Sequence, residues 1–479
     1  MLIVGYVLIG VAVLATMVVL LYQAFGFGLG KDGEVIQNGL VFVSSTPNPA
    51  DLTVGGLTKK YATNTRLTLP AGTYTLQLTR EGYRPWQREV LVEGGRVLRL
   101  DYPFLFPTSL TTTTVDTYDG LPALATQSPD RRWLLVEHPG TITSFSVYDL
   151  KNPQQPSKSM ELPPELLTPT TGSQGWQLVE WSNDNVHVLL KHMLGTSAEF
   201  ILVNRENPAE SVNLTQALAA NVTDMSLINK KYDQYYLYTK ESGSLQKASL
   251  KDAVVTPYLD HVLAYKSYDV DTMLYATASD TGSGKVRINL LQGDKTYTIR
   301  ELNAGGTYLL DIAKHEDMLF VVAASSADDR AYIYRDPVAQ LQSEYGVAVP
   351  VRVLRIAHPS YVSFSNNTQF IVVENGVQFG TYDVKYERGY TYNQPDALDA
   401  PQQHAKWMDG NRIAYVSNGN LVVFDYDGSN KQRLMPAYPS YEPFFGQDYK
   451  YVYALSAGSS QDKKQTVLTS TALRTRADL

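Results

Sequence analysis

The chain opens on an unbroken apolar run. Residues 2–22 read LIVGYVLIGVAVLATMVVLLY, with Thr16 and two tyrosines as the only polar side chains, and the first charged residue is Lys31. A helix rises about 1.5 Å per residue, so some 20 such residues cross about 30 Å of hydrocarbon. Lipid satisfies no backbone donor or acceptor, so an inserted run is helical. A buried core helix is a poor rival, because the run is too long and too apolar. A cleaved signal peptide is the better rival, but it carries a basic n-region, a shorter apolar stretch and a small-residue cleavage site. Here no Lys or Arg precedes the run, and Phe25-Gly26-Phe27-Gly28 follows it. The pattern predicts an uncleaved transmembrane anchor over 1–25 and a juxtamembrane linker over 26–38.

Beyond residue 25 the dominant pattern is alternation. In 39–102, Leu40, Phe42 and Ser44 alternate with Val41 and Val43 until Thr46-Pro47. Asp51-Leu52-Thr53-Val54 reads as a second strand, with Gly55-Gly56 as a two-residue hairpin turn. Arg66-Leu67-Thr68-Leu69 leads into a turn at Pro70-Ala71-Gly72. Tyr74, Leu76 and Leu78 then alternate with Thr75, Gln77 and Thr79, and residues 87–100 read as a last hairpin. One apolar and one polar face per strand predicts a small antiparallel β-sandwich.

Residues 103–122, broken by Pro103, Pro107 and Pro122, read as a linker that holds a candidate ring-closing strand. From residue 123 to 479 one unit recurs: an apolar stub, a polar turn, then a strongly apolar strand. The strands start at Trp133, His187, Tyr235, Met273, Met318, Phe370, Ile413 and Tyr451, with gaps of 54, 48, 38, 45, 52, 43 and 38 residues. A second apolar strand often follows, as in residues 144–150, 331–335 and 421–428. A period of about 40 to 50 residues with several short strands per copy predicts a β-propeller. The count suggests eight blades, with seven as the alternative. Closure is expected where 111–115 and 467–471 share a blade. Two insertions interrupt the pattern. Asp336-Pro337 to Gly346 reads as a short helix with Asp336 as N-cap, and 162–175 is a Pro/Gly/Thr loop that could hold one turn. The fold class is therefore all-β behind a single N-terminal helix, with 103–108 as the only segment shared by sandwich and ring.

Two resemblances add to this. Residues 39–102 resemble the PEGA domain, a small β-sandwich module of bacterial surface proteins. The carriers are Ser44-Ser45-Thr46-Pro47, the turn Leu69-Pro70-Ala71-Gly72-Thr73-Tyr74, and Arg80-Glu81-Gly82-Tyr83, although the name-giving tetrapeptide lacks its Glu. That resemblance implies an extracytoplasmic spacer or binding module without a catalytic role. Tyr83 and Trp86 would serve either as exposed ligand contacts or, more simply, as caps of the sandwich core. The repeat turns are similar to blades of the TolB family. Ser128-Pro129-Asp130 matches its Ser-Pro-Asp-Gly turn with Arg131 in place of Gly, and Trp181-Ser182-Asn183-Asp184 and Trp407-Met408-Asp409-Gly410 match more loosely.

Charge and chemistry narrow the function. Net charge is −7 with no long basic run, which argues against a nucleic-acid partner. Cysteine is absent, so disulfides, thiolate zinc sites and a Cys nucleophile are excluded. The positive-inside rule is nearly silent, since Lys31 stands alone until Lys59 and Lys60. The extracytoplasmic placement of the body therefore rests on the one-residue N-terminal tail. Gly282-Ser283-Gly284-Lys285 lacks two elements of a phosphate loop, at Ser279 and Val286. No nucleophile elbow occurs, and none of the seven histidines forms a zinc helix motif. Lys314-His315-Glu316-Asp317 and Asp425-Tyr426-Asp427-Gly428-Ser429 read as turns. No cofactor or metal is expected.

The candidate binding residues are aromatic. Tyr386, Tyr390 and Tyr392 crowd one stretch beside Tyr382, and Tyr438 and Tyr441 crowd another beside Phe444 and Phe445. Exposed aromatic side chains mark glycan or protein contacts. The expectation is a non-catalytic cell-membrane protein that displays a propeller for a cell-surface protein or glycan. The alternative is a propeller hydrolase or lyase acting on envelope polysaccharide, with carboxylates drawn from separate blades.

Overall fold

Each of the eight apolar runs becomes the second strand of a four-stranded antiparallel sheet: Trp133–His138, His187–Leu194, Gln234–Thr239, Thr272–Thr277, Met318–Ser325, Phe370–Glu374, Arg412–Ser417 and Tyr451–Ala457. The computed structural model describes residues 2–24, 26–29, 35–279, 281–395, 397–399, 403–458 and 465–478. Lys31 and Phe25 lie outside them. The chain divides into two units: residues up to Thr111 together with the segment from Ala472, and Thr112–Thr471.

In the larger unit the second strands are apolar along most of their length because both of their faces are covered, with polar residues such as Glu137 and Glu374 towards their ends. Successive side chains of a strand point to opposite faces. Leu135 packs with Val188 and Leu190 of the second sheet, whereas its neighbour Leu134 packs with Tyr453, Leu455 and Leu468 of the eighth. Leu189 faces the third sheet, Met273 the third and Leu274 the fifth. Phe320 and Val322 face the sixth sheet, and Val372 the seventh. The seventh and eighth meet where Tyr438 N donates to Leu455 O, 2.7 Å. A sheet that needs a neighbour on each face can only close as a ring, which makes this unit a β-propeller. The last sheet takes its fourth strand from the other end of the unit: Thr466–Ala472 pairs antiparallel with Thr112–Tyr118, Thr471 opposite Thr112. Thr112 and Thr471 also share a side-chain hydrogen bond of 2.7 Å.

The polar turns before the second strands share a construction. Ser128 Oγ accepts from Trp133 N (3.0 Å) and donates to Asp130 Oδ1 (2.5 Å). Ser365 Oγ accepts from Phe370 N (3.0 Å) and donates to Asn367 Oδ1 (2.7 Å). The fourth turn residue is left-handed, at φ 61° in Arg131, 59° in Asn185, 58° in Thr368 and 54° in Tyr449. That is the position at which the resembled Ser-Pro-Asp-Gly turn places Gly, the residue with no Cβ penalty there. The insertion after Ala331–Arg335 forms the helix Pro337–Leu341, but Asp336 does not cap it with its side chain. Its Oδ1 instead accepts from Leu319 N, 2.8 Å, binding the insertion to the second strand. Loop 162–175 holds the single 3-10 turn Pro164–Leu166.

The smaller unit begins with the helix Leu2–Ala24, long and apolar enough to cross a membrane; its side chains from Gly5 to Tyr22 are exposed. Thr16 Oγ1 donates to Ala12 O (2.8 Å), which satisfies the hydroxyl inside the helix. The expected linker 26–38 is partly strand: Phe27–Leu29 pairs with Val35–Val43.

The sandwich differs from the sequence expectation in its crossings. One sheet holds Phe27–Leu29, Val35–Val43, Thr65–Pro70 and Val97–Leu100; the other holds Tyr61–Ala62, Asp51–Val54, Gly72–Thr79 and Trp86–Val92. Gly55-Gly56 is therefore not a two-residue hairpin, since Asp51–Val54 pairs with Tyr61–Ala62 across residues 55–60. Pro70-Ala71-Gly72 and residues 93–96 carry the chain from one sheet to the other. The last two strands are not a hairpin either: Val97–Leu100 pairs parallel with Val35–Val43. The reason is visible at Gly39. A Cβ there would meet Glu93 O at 2.5 Å, so glycine lets the crossing backbone run against the first strand. Val41, Val43, Leu67 and Leu69 of one sheet pack on Leu52, Leu76, Leu78 and Val90 of the other. Tyr83 and Trp86 are buried in this core.

Candidate functional site

The first strands of the ring line its centre, and those of neighbouring sheets lie against one another. They range from two residues, as in Lys406–Trp407 and Phe444–Phe445, to eight, as in Gln174–Trp181 and Tyr308–His315. Two cavities open among them. One of about 320 Å³ is bordered by Gln127 and Arg131 of the first sheet and its turn, Tyr361 and Ser363 of the sixth, Lys406 and Trp407 of the seventh, and Glu442 and Phe445 at the eighth. The other, about 350 Å³, is bordered by His404, Tyr415, Tyr441 and Pro443, and shares Lys406 and Glu442 with the first.

Lys406 stands between the two. Its Nζ is 2.8 Å from Glu442 Oε1 and 5.4 Å from the centroid of the Tyr361 ring. Burial opposes the Lys406 charge, but Glu442 and the Tyr361 hydroxyl outweigh it and raise its pKa above the ordinary lysine value. Lys406 thus stays cationic at neutral pH. The Tyr361 ring stacks on His404 at 4.4 Å and 8°. His404 Nδ1 lies 3.1 Å from Oε1 of the fully buried Glu374, whose other oxygen accepts from Gly376 N. Trp407 Nε1 donates to Ser363 Oγ, 3.1 Å, and Gln127 Nε2 to Phe445 O, 3.0 Å. Each polar group ties one sheet to the next, so the wall is preorganised. Aromatic faces, a fixed cation and a carboxylate around a concave space are the parts that orient a polar ligand with apolar faces. Among the described residues no group of three His, Asp or Glu could hold a metal ion.

The sequence-selected tyrosines occupy other places. Tyr386 is exposed in the turn between Gln378–Asp383 and Arg388–Asn393. Tyr390 meets Tyr426 edge-on at 5.4 Å. Tyr392 is packing rather than surface: its ring lies parallel to Phe379 at 5.7 Å, and its hydroxyl donates to Tyr426 O at 2.9 Å. Tyr438 and Tyr441 pair at 6.5 Å, but Tyr441 is buried and donates to Pro122 O at 2.5 Å. Of the five, Tyr441 borders a cavity. Sequence reasoning missed Lys406, Glu442, Tyr361 and His404, which stand on short strands and loops in three separate stretches of the chain. Their only local signal was Trp407-Met408-Asp409-Gly410, read as a turn.

Residues 38–105 match the PEGA domain. Among curated proteins none matches the chain. Among solved structures, the β-propeller domain of Cps50 (Swd1) from Myceliophteria thermophila aligns at 12% identity and TM-score 0.39, over 66% of this chain and 97% of that one. The dihydro-heme d1 dehydrogenase NirN in complex with DHE aligns at 11% identity and TM-score 0.42, over 67% of each chain. An oligogalacturonate lyase from Vibrio parahaemolyticus aligns at 11% identity and TM-score 0.38, over 77% of this chain and 99% of that one.

Proposed function

We propose that this chain is a membrane-held bacterial surface protein whose ring binds a cell-surface protein or glycan without chemical turnover. The observation that carries the reading is the channel wall around Lys406, where Glu442, Tyr361 and Trp407 converge from three sheets. The exposed apolar helix supports the anchoring, and the PEGA match at 38–105 supports a spacer role for the sandwich. In the channel, Glu442 is held by Lys406 and Glu374 by His404, an arrangement suited to recognition rather than to a free acid and base. The test incubates the chain, cut after Ala24 and so keeping the strand at Phe27, with envelope polysaccharides and envelope proteins. Retention of a ligand without release of shorter products is the expected result. Product release would replace this reading with a hydrolase or lyase.

A further inference from the structure

The segment from Ala472 leaves the ring after its closing strand and belongs with the sandwich unit. Leu473 is fully buried. Beyond it the chain turns, with Asp478 N donating to Thr475 O at 2.9 Å. Asp478 then meets the Arg80-Glu81-Gly82-Tyr83 element. Its Oδ1 accepts from Arg80 Nη2 at 2.5 Å, and its Oδ2 accepts from the Tyr83 hydroxyl at 2.6 Å and from Thr475 Oγ1 at 3.0 Å. Thr475 N donates back to the Tyr83 oxygen at 2.9 Å. The other Arg80 nitrogen, Nη1, donates to Pro49 O at 2.8 Å, which fixes the guanidinium from behind. A Cβ on Gly82 would come within 3.2 Å of Thr475 Cγ2, so glycine lets the turn approach.

These contacts read two features of one segment, a threonine and an aspartate three residues later. Burial, then Asp478, raises the Tyr83 pKa and keeps it a donor. Burial opposes the Asp478 charge, but Tyr83, Thr475 and Arg80 outweigh it and keep the carboxyl below its usual range.

We infer that Arg80 and Tyr83 form a carboxylate-reading peptide site on the sandwich, specific for a Thr-x-x-Asp segment and occupied by the chain's own residues 475–478 as a releasable latch. Charge-assisted hydrogen bonds to a half-buried carboxylate are the strong kind, so one atom change at Asp478 should open it. The inference does not depend on what the ring binds.

Arg474 immediately precedes the latch and Arg476 lies within it, which provides the readout. Full-length protein in detergent is treated briefly with trypsin, and cleavage after these two residues is followed by mass spectrometry. Asp478→Asn, at the chain end, should be cut there at least ten-fold faster than the unaltered protein, and Arg80→Gln similarly. Millimolar Ac-Thr-Gln-Ala-Asp-NH2 should accelerate cleavage of the unaltered protein, and its Asn counterpart should not. Equal cleavage of Asp478→Asn and the unaltered protein would overturn the latch. Failure of the acidic peptide to accelerate cleavage, or equal action of its Asn counterpart, would overturn the site.

Discussion

Lys406 and Glu442 join the seventh sheet to the approach of the eighth, with Nζ 2.8 Å from Oε1. Their side chains are 38% and 59% exposed, so the pair contributes about 1 kcal/mol or less to folding. On the proposed function its importance is for binding. Lys406→Met should leave the melting temperature within about 2 °C. The same substitution should weaken retention of the captured envelope ligand at least ten-fold. A melting scan beside a binding titration checks both, and unchanged binding would remove the channel from the proposal.

Leu134 and Leu135 are chain neighbours that serve different interfaces. Each is fully buried, so Leu→Ala at either position should cost about 2–5 kcal/mol. Denaturant titration of the two variants would check ring closure. A small effect at Leu134 beside a large one at Leu135 would mean that the first and eighth sheets do not meet.

Glu316 is exposed and left-handed, with φ 53°, in the two-residue turn between Tyr308–His315 and Met318–Ser325. Removing its Cβ relieves a cost of about 1–2 kcal/mol. Glu316→Gly should therefore raise the unfolding midpoint and Glu316→Val should lower it, both readable in thermal melts.

Glu137 is buried, and burial pushes its pKa up to about 7, against the stabilising bond from Ala123 N at 2.6 Å. The folded state thus holds a proton that the unfolded chain releases near its usual carboxyl value of 4.5. Stability falls as pH rises between these two values, by at most about 1.4 kcal/mol per pH unit, and no further change from this group follows above pH 7. Glu137→Gln should flatten that slope and stabilise the protein at pH 8. Denaturation midpoints at pH 5, 6.5 and 8 for both proteins check the sign.

The ring was legible because its second strands are buried on both faces. This turns a weak period-two signal into eight unbroken apolar runs, and each run falls in the same position of its sheet. The candidate closing segments 111–115 and 467–471 proved to be partners. The sandwich crossings were hidden because a Pro-Gly or Gly-Gly turn looks the same whether the next strand pairs beside the last or crosses to the facing sheet. At residues 93–96 the close approach at Gly39 separates the cases. The channel was hidden for another reason. Tyr361, Lys406 and Glu442 come from three sheets, on elements too short to show any period. Crowding along the chain does not report burial: Tyr392 packs on Phe379, and Tyr441 is buried while bordering a cavity. The tail was unforeseen because Thr475 and Asp478 acquire meaning only beside Arg80 and Tyr83, some 390 residues away. The sandwich and ring units are consequently joined twice, at 111–112 and 471–472, rather than only near 103–108.

The most direct test of a membrane-held, outward-displayed ring is protease access on the producing cell. Intact cells or spheroplasts are treated with a protease that cannot cross the membrane, and the pellet is probed with antibodies to the ring and with mass analysis of the N-terminal segment. The expected result is loss of the ring from unlysed cells while a fragment carrying the helix Leu2–Ala24 stays with the membrane. A ring protected until lysis, or a mature chain that lacks the helix and is free of the membrane, would contradict it.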